Sequence, residues 1–192
     1  MNEMRQENHL LRLGPFDPEK DAGIDAAFTL DQSYMAQVNP DLPRPLSPDQ
    51  IKKRYENLEK RAEEENLYFF ALRAQADDRL LGFAQFDWVS WANGSGSLTL
   101  AVGDAQAKAE GWQRQAIELL AAYAFSQLNL HSLNLRVPGY DRDTQALLAE
   151  CGFTLEVHQR QALQRDGQRW DVLRYGLLQP EWQQRQNERS QP

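Results

Sequence analysis

The sequence predicts an α/β fold: a central mixed sheet, mostly antiparallel, of about seven strands with helices on both faces. Three observations carry that expectation. Ser97–Gln127, SLTLAVGDAQAKAEGWQRQAIELLAAYAFSQ, runs from an apolar strand through a turn into a long helix without a break. A second apolar strand, Ser132–Val137, follows it, and a strand, a crossover helix and a strand in that order make the two strands parallel neighbours. The remaining β-rich runs are separated by short polar turns, the pattern of antiparallel hairpins.

Taken in order, His9–Leu13 alternates as a first strand and Gly14-Pro15 ends it; Asp21–Gln32 then shows helical apolar spacing at Ile24, Ala27 and Phe28. Ser33–Leu46 holds Pro40, Pro43 and Pro45, which argue against a regular helix or a central strand and predict a loop. Ser47-Pro48-Asp49-Gln50 is an N-cap, a proline at the first helical position and a glutamine three residues after the cap, so a helix starts there with Ile51, Tyr55, Leu58 and Ala62 on one face. Glu65–Phe70 reads ENLYFF, like part of a protease-cleavage tag, but it continues directly into Ala-Leu-Arg and is taken as native strand. Leu67–Ala74 and Leu80–Trp91 form a hairpin around Ala76-Asp77-Asp78-Arg79, and Asn93–Gly96 turns the chain into the strand Leu98–Val102. Gln115–Gln127 is apolar on nearly every side and predicts a mostly buried helix. Asp141–Glu150 is a short helix with Asp141 as its cap, and Phe153–Leu163 pairs with Arg169–Leu178 around Asp166-Gly167. Trp182 is the last residue expected to pack. One domain, 1–182, is expected, with a disordered polar tail over 183–192.

Composition excludes several functions. With 21 Lys+Arg against 28 Asp+Glu the net charge is −7, which repels nucleic acid at long range, so no nucleic-acid partner is expected. No apolar run is long enough to span a bilayer, and the opening MNEMRQENHL has no apolar core after a basic start; no membrane association and a cytoplasmic location are expected. The single Cys151 cannot form an internal disulfide and reads as a small buried hydrophobe. His9, His131 and His158 are scattered, so no metal site is expected.

Between strand and long helix lies Lys108-Ala109-Glu110-Gly111-Trp112-Gln113. A loop feeding a helix N-terminus offers unpaired N–H groups and the positive end of the helix dipole, which is what holding a phosphate requires. Further on come Phe125–His131, ending Leu-Asn-Leu-His, then a strand, a short helix, Cys151-Gly152-Phe153 and a final hairpin. This ordered set resembles the GNAT superfamily of acyl-CoA-dependent N-acyltransferases, in particular the branch that includes ribosomal-protein N-acetyltransferases. That family's pattern is a strand, Arg/Gln-x-x-Gly-x-Gly/Ala and a helix, and only Gly111 matches it cleanly, so the acetyl-CoA motif is degenerate here.

The resemblance implies a GNAT fold with the parallel strand pair splayed at one end. It also implies acetyl-CoA as acyl donor, direct attack by an amine acceptor such as a protein N-terminus, and a homodimer as a common assembly. It places the cofactor against Leu100, Ala101 and Val102 on the strand and against Lys108, Ala109, Gly111, Trp112, Gln113 and Arg114 at the helix start. Where this chain departs from the pattern, the consequences are physical. Gln113 puts a long amide where Gly or Ala permits close approach. A Glu110 carboxylate about 6 Å from a phosphate would cost about 3 kcal/mol at an effective dielectric near 20. Ser97 and Leu148 stand where the family often has Glu and Tyr, so the catalytic groups are unassigned, and a catalytically silent GNAT-like binding domain is the alternative reading. Asp87 reads as solvent-facing, His131 as a residue near a helix end, and Trp88, Trp91 and Trp112 as packing residues or an acceptor-pocket lining. The proline-rich segment from Tyr34 to Leu46 is expected over the active-site mouth.

Overall fold

The computed structural model describes residues 10–38, 44–64 and 67–190. Its elements are β1 (Leu11–Gly14), α1 (Pro18–Phe28), α2 (Gln32–Val38), α3 (Pro48–Glu64), β2 (Tyr68–Ala74), β3 (Leu80–Ser90), β4 (Ser95–Val102), α4 (Ala105–Ala109), α5 (Trp112–Ser126), β5 (Ser132–Pro138), α6 (Arg142–Glu150), β6 (Thr154–Arg165), β7 (Gln168–Leu178) and α7 (Gln179–Ser190). Seven strands make one sheet in the order β1-β2-β3-β4-β5-β7-β6. The sheet is mixed and mostly antiparallel, as the sequence predicts. The chain forms two compact units: Met1–Gln85 with Leu100–Ala116, and Phe86–Thr99 with Ile117–Pro192.

In the first unit, β1 pairs antiparallel with β2 from Leu11↔Ala74 to Gly14↔Ala71. The capping box forms as read from sequence: Ser47 N–H donates to Gln50 Oε1 at 3.0 Å, and Gln50 N–H donates to Ser47 Oγ at 3.3 Å. Ile51, Tyr55 and Leu58 turn inward from α3 and join Phe16, Leu67 and Phe83 in the core. Helix α1 presents the opposite face to the one its apolar spacing suggests. Asp21, Ala22, Asp25 and Ala26 are buried, whereas Ile24 is 41% exposed. The reason is pairing. Arg73 Nη2 meets Asp21 Oδ2 at 2.5 Å, and the Tyr34 and Tyr55 hydroxyls donate to the two Asp25 oxygens at 2.7 and 2.8 Å. Burial, followed by the Asp25 charge, pushes both phenols well above the usual tyrosine range.

A second correction concerns the segment read as loop from Ser33. Its first part is α2, because no proline intervenes before Pro40 and Asp31 accepts from both Ser33 N–H (2.8 Å) and Ser33 Oγ–H (2.7 Å) at the helix start. Asn39–Pro43, the center of that expectation, lies outside the described residues.

In the second unit, β4 and β5 are parallel neighbours, Ser95↔Ser132 to Ser97↔Asn134, as the crossover requires. Strand β5 continues antiparallel to β7 from Ser132↔Leu178 to Pro138↔Val172, and β7 pairs with β6. Asp166 (φ +51°) and Gly167 (φ +72°) close that hairpin in left-handed backbone, the conformation an Asp-Gly turn supplies. Asp141 caps α6 by accepting from Thr144 N–H at 3.1 Å. The tail expected to be disordered is instead helical through Ser190. Polarity misled the reading, because Trp182, Arg185 and Arg189 recur at helical spacing on a face that docks. Trp182 stacks obliquely on Phe125 at 5.4 Å, Arg185 donates to Glu150 O at 2.6 Å, and Arg189 pairs with Glu118 at 2.9 Å. Trp88 is not a packing residue either: it sits at φ +54° within β3 and is 88% exposed.

Candidate active site at the β4–α5 junction

All nine residues predicted to hold the cofactor fall in the first unit, on the end of β4 and the turns that follow it. Leu100, Ala101 and Val102 are buried in the strand. Gly103 and Asp104 N–H groups both donate to Leu81 O, at 2.8 and 3.0 Å, and fix where the chain leaves the sheet. Close packing behind it demands glycine: a Cβ on Gly82 would lie 2.1 Å from Ala101 O.

The expected loop is shorter than the sequence suggests. Asp104 accepts from Ala107 N–H at 2.8 Å and starts α4, so Lys108 and Ala109 are helical. Alanines at 105, 107 and 109 favour that turn. Glu110 ends it, and Gly111 at φ +73° redirects the chain into α5, with nothing within 4 Å of where its side chain would begin. The left-handed backbone favours glycine, and the space beside it is open. Trp112 is buried at the first position of α5, with the Arg79 guanidinium 5.6 Å from its ring centroid. Gln113 and Arg114 are half-buried in the same turn, and Arg114 N–H donates to Gly111 O at 3.2 Å.

The charges at this junction are spoken for. Lys108 Nζ donates to Asp31 Oδ2 at 2.5 Å and approaches Ser33 Oγ at 3.5 Å. Partial burial alone would push Asp31 up, but the hydrogen bonds from Lys108 and Ser33 outweigh it and hold the carboxyl at about 2. The Glu110 carboxylate accepts from Gln106 Nε2 at 2.8 Å, one turn back along α4, and Gln106 in turn accepts from Arg79 at 3.3 Å. Sequence reasoning identified Lys108 and Glu110 but missed Asp31, Gln106 and Arg79. Gln106 could have been found from its i,i+4 spacing to Glu110, but no local signal marks Asp31 or Arg79, which lie 77 and 27 residues from their partners.

Other candidates settle into structural roles. Ser97 lies in the parallel ladder opposite Asn134, whose Nδ2 donates to Gly96 O at 2.9 Å, and Leu148 and Cys151 are buried. Asp87 is half-buried, and His131 is exposed, with its backbone bound to Gly94 O and to Gln179 N–H. Among the described residues there is no cluster of three or more His, Cys, Asp or Glu side chains fit for a metal, and no helix long and apolar enough to cross a membrane.

The family model of the acetyltransferase (GNAT) domain matches residues 11–154. Among solved structures, a spermidine N-acetyltransferase from Vibrio cholerae in complex with CoA and spermine superposes with a TM-score of 0.79 at 22% identity, over 92% of this chain and 99% of that one. A probable acetyltransferase superposes with a TM-score of 0.78 at 20% identity, over 91% and 96% of the two chains. At such identities the superpositions speak for the fold, while the family match covers most of the chain. The chain belongs to the GNAT family and is an acetyltransferase of that type.

Proposed function

We propose that this enzyme moves an acetyl group from acetyl-CoA to an amine, with the nine junction residues as the cofactor site. The observation that carries the reading is the opening of α5 directly after Gly111, beside open space. The first N–H groups of a helix have no partner within it and point at whatever occupies that space, so the pyrophosphate is gripped by backbone at Trp112 and Gln113. Leu100–Val102 offer the strand edge for the pantetheine arm. Lys108 is held by Asp31 and serves to fix α4 against the α1–α2 connection rather than to grip phosphate.

The acceptor attacks as the neutral amine. Its nitrogen lone pair forms a bond to the thioester carbonyl carbon, the C–S bond breaks, and CoA leaves as thiolate and takes up a proton while the nitrogen gives one to water. Holding the two reactants together supplies most of the acceleration such a reaction needs. A protein N-terminus, the acceptor the family resemblance suggests, and a polyamine, the acceptor of the Vibrio cholerae enzyme, are both amines of this kind. A homodimer in the cytoplasm belongs to the same reading.

Calorimetric titration with acetyl-CoA tests the proposal. Wild type should bind, and Glu110→Lys with Gln113→Gly should bind tighter, mainly through the room that glycine leaves around the pyrophosphate. Absence of binding to both proteins at millimolar cofactor would leave the catalytically silent reading standing.

A further inference from the structure

The first unit contains an open cavity of about 460 Å³ apart from the β4–α5 junction, lined by Arg44, Lys53, Arg54 and Arg61 together with Asn57 and Gln85. No described residue lining it is acidic, in a chain whose net charge is −7. We propose that this cavity is the acceptor subsite and that it recognises an anionic group: the enzyme selects amines that carry a carboxylate or phosphate and disfavours polycationic amines. The inference rests on the acetyltransfer reading for the word acceptor, and on the cavity alone for the word anionic.

The helix gathers three of these cations on one side. At about 100° per residue, Gln50, Lys53, Arg54, Asn57 and Arg61 fall within an arc of roughly 100° on α3. This stripe lies beside the buried one of Ile51, Tyr55 and Leu58; Glu56, Glu59 and Glu63 sit on the far side, Asp49 borders the stripe one turn before Lys53, and Glu64 closes the helix within the arc.

Arg44, Lys53 and Arg54 are placed to meet an anion. Arg44 and Lys53 make no ion pair or hydrogen bond with any described residue. Arg54 lies with its guanidinium carbon 4.5 Å from the Phe83 ring centroid, which fixes its plane, and its buried Nη1 has no hydrogen-bond acceptor. Asp25 stands 3.7 Å from that nitrogen, but its two oxygens already accept from Tyr34 and Tyr55. A guanidinium oriented in advance and short of an acceptor is suited to a carboxylate or phosphate.

The cavity wall is tethered to the junction. Leu46 N–H donates to Thr29 Oγ1 at 2.9 Å, and two residues on, Asp31 holds Lys108 just before Gly111. One short connection therefore joins the anion-binding wall to the place where the cofactor phosphates sit. An amine with its own negative charge can be held by that charge in the cavity while its nitrogen is left to react.

Matched acceptors test this: 2-aminoethyl phosphate against ethanolamine, 4-aminobutyrate against butylamine, Ala-Glu-Glu amide against Ala-Gln-Gln amide, and spermidine. Each anionic member should show kcat/KM about tenfold or more above its neutral partner, with a preference that shrinks as salt rises. The phosphate, carboxylate and peptide pairs show which source of charge fits best. In Arg44→Glu with Lys53→Glu the preference should vanish while the affinity for acetyl-CoA stays as in wild type. Preference for spermidine, or an anion preference untouched by the charge reversals, overturns the inference. Titration with 2-aminoethyl phosphate alone separates the two claims. Binding that the reversals abolish, with no acetylation of any amine, supports the anion site and refutes acetyltransfer; acetyl-CoA binding without any anion binding does the opposite.

Discussion

Lys108 and Lys53 carry the same charge in the same compact unit, yet the fold uses them in opposite ways. Lys108 occupies the position where a family motif calls for a phosphate-facing cation, and its charge is consumed by Asp31. Lys53 sits in no motif, and with Arg44 it faces an open cavity with its charge uncancelled by any described residue. The contrast teaches that a cation's position in a sequence pattern does not establish that its charge is free for a ligand. Availability is decided by which carboxylates the fold brings near, and in this unit Asp21, Asp25 and Asp31 are drawn to Arg73, the two tyrosines and Lys108.

The largest effect should come from breaking the buried arrangement that orients the cavity. Asp25→Ala leaves the Tyr34 and Tyr55 hydroxyls without their buried acceptor and removes the carboxylate that stands 3.7 Å from the Arg54 guanidinium, and should cost about 3–5 kcal/mol in chemical denaturation. A loss below about 1 kcal/mol would mean that Arg54 is held by Phe83 alone. Next in size is Arg44→Glu with Lys53→Glu, for which kcat/KM on an anionic acceptor should fall by about tenfold or more. Asp31→Asn should act on the other lysine. By releasing Lys108 it should tighten CoA binding by roughly two- to fivefold, an attraction softened by solvent screening. The smallest effect is on stability against pH. Because Asp31 titrates at about 2 in the folded protein, below the ordinary carboxylate range, its pairing contributes fully above about pH 4 and is lost as pH falls toward 2. The pair is partly exposed, so the difference between wild type and Asp31→Asn should stay below about 1 kcal/mol across that window.

The sheet was legible in the sequence because strand alternation, turn residues and the strand–helix–strand crossover are local signals, and they place the β4–β5 parallel pair correctly. Helix α1 was read on the wrong face because hydropathy assigns aspartates to solvent, and nothing near Asp21 or Asp25 announces Arg73 or Tyr55 far along the chain. Helix α7 was missed for the same reason: a polar segment docks when its few anchors, Trp182, Arg185 and Arg189, share a face. At the candidate site, Gly111 was legible as a backbone requirement, whereas the Lys108–Asp31 pair was not, being long-range. The cationic stripe of α3 could have been found by projecting its charges around the helix, but only the cavity beside it gives the stripe a meaning.

The comparison of the two lysines rests on one claim about the junction, that α5's opening backbone rather than the Lys108 side chain grips the cofactor. The direct measurement is calorimetric titration of CoA into wild type and into the charge-balanced variant Lys108→Met with Asp31→Asn, which removes the ion pair and leaves the net charge unchanged. The account predicts that both bind with dissociation constants within about threefold of each other. A loss of tenfold or more in the variant would assign the grip to Lys108 and contradict it.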